Sequence, residues 1–268
     1  MQLRSYRRGV LLLLPPSEGK TAPDRGPSLE LDALSAPMLT PLRSRVLDAL
    51  VRASARDDAA RLLGVGPGLV DEVHRNTALH AAPTAKAARI YTGVLYAAAG
   101  LDRLTPAQHR RAADSVRVVS ALWGVVAPDD RIPAYRLSMG TDLPGVGPLA
   151  AAWRQALRPA LDERAGGDLV VDGRSATYLA AWHPPRGTDW VTVRVERETN
   201  GLRQVVSHHA KHTRGLLTRH LITRRAQPPR DADGLAHAAS ELVGDELMAV
   251  ELGAPVTRGA RTLTLVVA

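Results

Sequence analysis

Residues 10–21 read VLLLLPPSEGKT, and the break at Pro15-Pro16 decides the fold class. Five apolar residues ended by prolines are the pattern of a buried strand. They fall far short of the ~20 needed to cross a bilayer. The loop that follows carries Ser17, Glu18 and Lys20, and loops leaving the end of such a strand are where α/β proteins gather their sites. It has a single glycine before its lysine and lacks the G-x-x-x-x-G-K-[ST] spacing, so it is not a Walker loop.

Arg4, Arg7 and Arg8 precede this run, but five apolar residues are fewer than the ~7–15 of a signal-peptide core, and no small-residue cleavage site follows. The expectation is a soluble, cytoplasmic protein with no membrane partner. Further along, helical periodicity covers 37–55 and 56–63, and another helix starts near Leu69. Thr105-Pro106 is a good helix start, with a cap followed by Pro at the first position. Val116 to Ala121 reads as a strand, and residues 123–140 as a long ordered loop. A helix over 149–163 leads into a strand at 168–171. Val191, Val193 and Val195 alternate with polar residues, and Asn200-Gly201 turns that strand into a hairpin. A cationic helix begins near His208, and a short helix and two strands end the chain. This order predicts one compact α/β domain, a mixed sheet flanked by helices, with residues 37–80 as a candidate helical subdomain.

The chain has 268 residues, 45% of them hydrophobic, enough for a sizeable core. It has no cysteine, which excludes disulfides, thiolate catalysis and cysteine-held zinc or iron–sulfur clusters. Only Lys20, Lys86 and Lys211 are lysines among 35 basic residues, a bias that makes each of them conspicuous.

The net charge is +8, and one stretch carries most of it. From Arg203 to Arg230 there are seven basic residues (Arg203, Lys211, Arg214, Arg219, Arg224, Arg225 and Arg230) and no carboxylate. Such a block suits a phosphate-rich partner. On a helix Lys211 and Arg214 share a face, Gly215 leaves room for a ligand to approach, and Ala210, Leu217 and Leu221 face the core. His208 and His212 have the i, i+4 spacing of a metal pair, but no acidic residue lies nearby in sequence to complete a site, and no metal or cofactor is expected. In LLGVGPGLVDEV, residues 62–73, Gly64, Gly66 and Gly68 supply the tight turn of a helix–turn–helix resembling the hairpin of a helix-hairpin-helix motif, although the position after Pro67, usually basic in such hairpins, is Gly68, and Asp71 and Glu72 follow. Asp129, Asp130, Arg131, Tyr135 and Arg136 gather in the 123–140 loop.

Together PPSEGKT (15–21), IYTGVLY (90–96), VSALWGVVAPDDRIPAYRLSMG (119–140), DGRSATYL (172–179) and SHHAKHTRGLLTRHLI (207–222) resemble the YaaA family of peroxide-stress proteins. The third and last segments are the specific ones. The resemblance implies a cytosolic protein that limits hydrogen peroxide damage, a single α/β body with a helix-hairpin-helix element and a positively charged cleft, and DNA binding. It carries motif roles onto Lys20, Tyr135, Arg136, Lys211 and Arg214. The ending RTLTLVVA departs from the family's usual aromatic- and Lys-rich strand.

Two functional readings follow. In the first, Lys211, Arg214, Arg219 and Arg225 neutralise the phosphates of duplex or damaged DNA, with backbone contacts from Gly64, Gly66 and Gly68. In the second, the chain is an enzyme acting on a nucleotide or nucleobase. Lys20, Lys211 and Arg214 then converge to hold the anion, with Glu18, Asp129 or Tyr135 as acid or base. A concave pocket holding Lys20 and Lys211 favours the second; a long exposed groove favours the first.

Overall fold

The computed structural model describes residues 9–206, 208–257 and 259–268. All five residues of β1 (Val10–Leu14) are buried, as its unbroken apolar run requires. In α1 (Thr40–Ser54), Val46, Leu47, Leu50 and Ala53 recur at helical spacing and are buried. The short helices α2 (Ala59–Leu62) and α3 (Val70–Arg75) flank the glycine-rich turn. There follow β2 (Ala85–Lys86), α4 (Ala87–Ile90) and α5 (Val94–Ala99). Helix α6 (Pro106–Ser115) starts at Thr105-Pro106 as expected. Its cap is reciprocal: Thr105 Oγ1 accepts from the Gln108 N–H at 3.5 Å, and Gln108 Oε1 from the Thr105 N–H at 3.0 Å.

The stretch 123–140 was expected to be loop throughout, and is not. After β3 (Val116–Ser120), Gly124–Val126 forms an edge strand, β4, antiparallel to β3. Arg131–Ile132 forms β5, which pairs with β2. The strands β6 (Asp142–Leu143) and β7 (Gly147–Pro148) make a small ribbon. Helix α7 (Leu149–Gly167) buries Trp153, Leu157 and Leu161 at i, i+4, i+8, then come β8 (Leu169–Asp172) and α8 (Ala176–Leu179). In β9 (Trp190–Thr199), Val191, Val193 and Val195 face inward. Asn200 and Gly201 take φ of 52° and 76° to turn the chain into β10 (Leu202–Val205), the hairpin expected from that dipeptide. The chain ends with α9 (His208–Thr223), α10 (Ala232–Ser240), β11 (Ala249–Leu252) and β12 (Arg261–Val267).

The main sheet runs β11-β12-β9-β8-β1-β3-β4, with β10 beside β9. Strands β12, β9, β8, β1 and β3 are parallel, and β11 and β4 close the edges antiparallel. From β1 the chain reaches β3 on one side and later returns to β8 on the other. The connections therefore diverge at the C-terminal end of β1, the place where open α/β sheets leave a crevice. The buried side chains of α1, α7, α9 and the sheet belong to one continuous core, so residues 37–80 are packed into the same body. Among the described residues no helix is long and apolar enough to cross a membrane.

Candidate functional site

The crevice holds a cavity of about 540 Å³ lined by Lys20, Arg136, Lys211 and Arg214 among others. Four separate segments supply most of its polar groups. The loop after β1 brings Ser17, Glu18 and Lys20, and the loop after β8 brings Ser175. Arg136 and Ser138 come from the segment after β5, and Lys211 and Arg214 from the first two turns of α9. Parallel strands place their C-terminal ends on one sheet edge, so segments far apart in sequence meet there.

The PPSEGKT loop is held by the IYTGVLY segment. The Gly93 N–H donates to Ser17 Oγ at 2.6 Å, the Tyr96 hydroxyl donates to the Pro15 carbonyl at 2.7 Å, and the Thr21 N–H donates to the Ile90 carbonyl at 3.0 Å. This fastening turns Lys20 inward. Its ammonium donates to the Ser17 carbonyl at 2.5 Å and stands 4.5 Å from the ring centre of Tyr135. Burial and the nearby Arg136 charge lower the Lys20 pKa from 10.5 to about 7. Lys86 and Lys211, by contrast, sit 2.7 and 2.9 Å from the carboxylates of Asp129 and Glu18.

Beneath Lys20 lies a hydroxyl chain. Ser120 Oγ accepts from the N–H groups of Leu122 and Trp123 at 3.2 and 3.0 Å, and meets the Tyr135 hydroxyl at 2.7 Å. With both its lone pairs engaged, Ser120 directs its own proton to Tyr135. Tyr135 in turn points its proton to the Tyr91 hydroxyl, 3.1 Å away. Burial holds the phenols of Tyr91 and Tyr135 well above their ordinary range, so both are neutral donors beside the amine.

At the mouth, Lys211 and Arg136 are each held by a carboxylate. Lys211 donates to Glu18, which lowers the Glu18 pKa. Arg136 reaches Glu72 at 3.4 Å and the Glu18 carbonyl at 3.2 Å. Its backbone is clamped by the buried Asn76, which accepts from the Arg136 N–H at 2.8 Å and donates to the Arg136 carbonyl at 2.9 Å. Arg214 is committed in part to the fold: its Nε and one terminal nitrogen donate to the Val193 carbonyl of β9 at 3.1 and 2.8 Å. The DGRSATYL segment supplies a buried brace, an Asp172–Arg174 pair at 2.6 Å with both side chains fully buried. Arg174 also donates to the carbonyls of Tyr178 and Trp182 at 3.2 and 2.9 Å, which fixes Ser175 and Tyr178 at the cavity wall.

Of the residues expected at the site, Lys20, Arg136, Lys211, Arg214 and Gly64 line this cavity. Tyr135 lies under Lys20, buried. Gly66, Gly68, Arg219 and Arg225 are exposed and off its wall. Glu18 is at the mouth, whereas Asp129 is bound elsewhere by Lys86 and His109. Ala210, Leu217 and Leu221 face the core as expected. Gly215 does not open space for a ligand; a Cβ there would overlap the Leu95 carbonyl oxygen and stand 2.7 Å from Ala98 Cβ, so it serves the close crossing of α9 over α5. The His208 side chain lies outside the described residues, and among those described no three His or carboxylate groups gather at metal-ligand distance. Ser120, Tyr91, Tyr96, Asn76 and Tyr178 were missed as site residues; the tyrosines stand in the quoted segments, but only the fold shows what they touch.

A family profile described as peroxide stress protein YaaA matches residues 10–241, which include every residue lining the cavity. The chain is 46% identical over 252 residues to UPF0246 protein SCO2297 of Streptomyces coelicolor, covering 93% of this chain and 95% of that protein. It is 42% identical over 265 residues to UPF0246 protein CE1889 of Corynebacterium efficiens, covering 96% and 100%. With matches of this extent, the chain belongs to the family of the peroxide stress protein YaaA.

Proposed function

We propose that this protein serves the oxidative-stress response through an enzyme-like cavity that binds a small anionic ligand, a nucleotide or related phosphorylated molecule, with Lys20 as its base. The family supports the stress role. One observation carries the rest: Lys20, Arg136, Lys211 and Arg214 converge on one concave cavity of about 540 Å³. A site of that size suits a small ligand, whereas the phosphates of a duplex are spread along a surface. The ligand's anion exchanges places with the Glu18 and Glu72 carboxylates that hold Lys211 and Arg136. Lys20, desolvated and near neutrality, takes a proton from the bound ligand, and Arg136 and Lys211 on the cavity wall stabilise the negative charge that develops.

The test is calorimetric titration with nucleoside 5′-monophosphates, alongside anisotropy of a short labelled duplex across a salt series. The expected result is saturable nucleotide binding, weakened about tenfold or more by Lys211→Ala, since a charge-assisted contact contributes ~1.5–3 kcal/mol, and untouched by Arg219→Ala/Arg225→Ala. Absence of nucleotide binding, together with steeply salt-dependent duplex binding lost in Arg219→Ala/Arg225→Ala, would establish DNA binding on the exposed face instead.

A further inference from the structure

A second cavity, of about 460 Å³, lies beyond the Lys20 loop and is lined by Arg25, Lys86, Arg89, Arg131 and His109, with Asp102 the one carboxylate on its wall. The first cavity and this one flank the same strap, in which Lys20 pairs with Tyr91 and the Thr21 N–H donates to the Ile90 carbonyl. The first cavity takes Gly19 and Lys20 from that strap, and the second takes Thr21 and Ile90. The cations of the second cavity come from separate parts of the chain: the loop after β1, the β2–α4 segment and β5.

Their charge is largely uncompensated. Lys86 and His109 share Asp129, at 2.7 and 2.9 Å. Arg131 donates one terminal nitrogen to the Thr84 carbonyl at 3.0 Å and meets no carboxylate among the described residues. Arg25 and Arg89 make no ion pair or side-chain hydrogen bond among the described residues. Arg25 is nevertheless placed by the fold. The adjoining Gly26 lies so close to β2 that a Cβ would overlap the Thr84 carbonyl oxygen, and Thr84 is itself tied to Pro27 by two hydrogen bonds, at 3.0 and 2.9 Å. Arg25, Arg89 and Arg131 are solvent-exposed, so their guanidinium groups are free to turn toward an anion, and the concavity adds their positive potentials together. Planar guanidinium groups match phosphate oxygens, and two adjacent phosphate groups offer oxygens that arginines from three separate segments can share.

We propose that this second cavity binds a small ligand carrying two adjacent phosphate groups, with Arg25, Arg89 and Arg131 as its phosphate contacts. It is a site distinct from the Lys20 cavity and stands whether or not the nucleotide reading of that cavity holds. A ligand there presses on the reverse side of the strap that sets Lys20.

The probe is pyrophosphate, titrated calorimetrically at constant ionic strength into the wild-type chain, Arg25→Gln/Arg89→Gln, and Lys211→Ala. The double variant removes no hydrogen bond of the described fold, so it keeps its structure, as circular dichroism will check. The expected outcome is that Arg25→Gln/Arg89→Gln weakens one class of pyrophosphate sites by about tenfold or more for each arginine removed, while Lys211→Ala retains that class. Equal binding by wild type and the double variant overturns the assignment. So does absence of binding in the wild type. A third arm displaces pyrophosphate with thymidine oligonucleotides of two to ten residues. Displacement that strengthens steadily with length would make the surface a nucleic-acid track and refute a small-ligand site.

Discussion

Lysine acetylation under limiting reagent isolates the central electrostatic claim, because the chain has only three lysines to compare. Lys86 and Lys211 are ion-paired with Asp129 and Glu18, while Lys20 is half-buried beside Arg136 with its pKa lowered to about 7. At pH 7.5 about three-quarters of Lys20 is neutral, against about one in a thousand for a lysine at the ordinary value, a ratio of ~700. A weaker base is also a weaker nucleophile. With a Brønsted coefficient of ~0.4–0.5, as for thiols, the 3.5-unit drop from 10.5 removes about 25–55-fold of that advantage, leaving an excess of ~10–30-fold. The assay is competitive acetylation from pH 5.5 to 10.5, read peptide by peptide by mass spectrometry. Lys20 should label fastest at pH 7.5, with its rate levelling off above about pH 7. The same shift sets a stability trend. Between about 7 and 10.5 the unfolded chain binds the Lys20 proton that the folded chain has released, so this group lowers stability in full below that window and ceases to do so as pH rises through it. Lys20→Met should therefore gain most over wild type near pH 6 and least near pH 10. Equal labelling of the three lysines, or a stability difference flat with pH, refutes the reasoning.

The remaining predictions concern the frame of the site. Gly215→Ala forces a methyl into the Leu95 carbonyl at the α5–α9 crossing; overpacking costs ~1–3 kcal/mol, and at ~2–4 °C per kcal/mol for a chain of this size differential scanning calorimetry should show a clearly lowered melting temperature. Asp172→Ala leaves the fully buried Arg174 guanidinium without its carboxylate, and denaturant unfolding should register a loss of about 3–5 kcal/mol. In Lys211→Ala, Glu18 loses the hydrogen bond that lowers its pKa; the carboxyl carbon shift followed by NMR should titrate at higher pH than in wild type, and an unchanged midpoint would contradict the pairing.

Features governed by near neighbours in the chain were legible from sequence. The cap at Thr105 needs only Pro106 and Gln108, the hairpin at Asn200-Gly201 needs only residues that tolerate positive φ, and the buried face of α9 follows from apolar spacing. Features set by distant partners were not. The role of Gly215 depends on α5 crossing it, a contact spanning more than a hundred residues, and sequence alone cannot distinguish room for a ligand from room for a helix. The edge strand β4 is three residues long and is defined by its pairing with β3, so no period betrays it. Lys20 itself is conspicuous in a chain nearly devoid of lysine, yet its environment is built from Tyr91, Ser120 and Tyr135, which come together only when β1 and β3 lie side by side.

The cationic block shows most sharply how sequence and space differ. From Arg203 to Arg230 no acidic residue interrupts the chain, and read linearly this is a single dense positive face. In the folded protein Arg203 meets Glu198 and Glu251 at 2.8 and 2.6 Å, Arg224 and His220 share Glu241, and Lys211 takes Glu18. The carboxylates come from the hairpin partner, the C-terminal sheet edge, the end of α10 and the N-terminal loop, all outside the block. Arg214 turns inward to a β-strand carbonyl. What remains in the open is Arg219, Arg225 and Arg230. Charge dispersed and paired in this way attracts a polyanion far less than the linear count implies. Lys20 and Lys211, 191 positions apart by their numbers and unremarkable as a pair in the sequence, meet at the wall of one cavity. The positive potential that matters for binding is concentrated by concavity, where low-dielectric walls focus it, and concavity is a property of the fold.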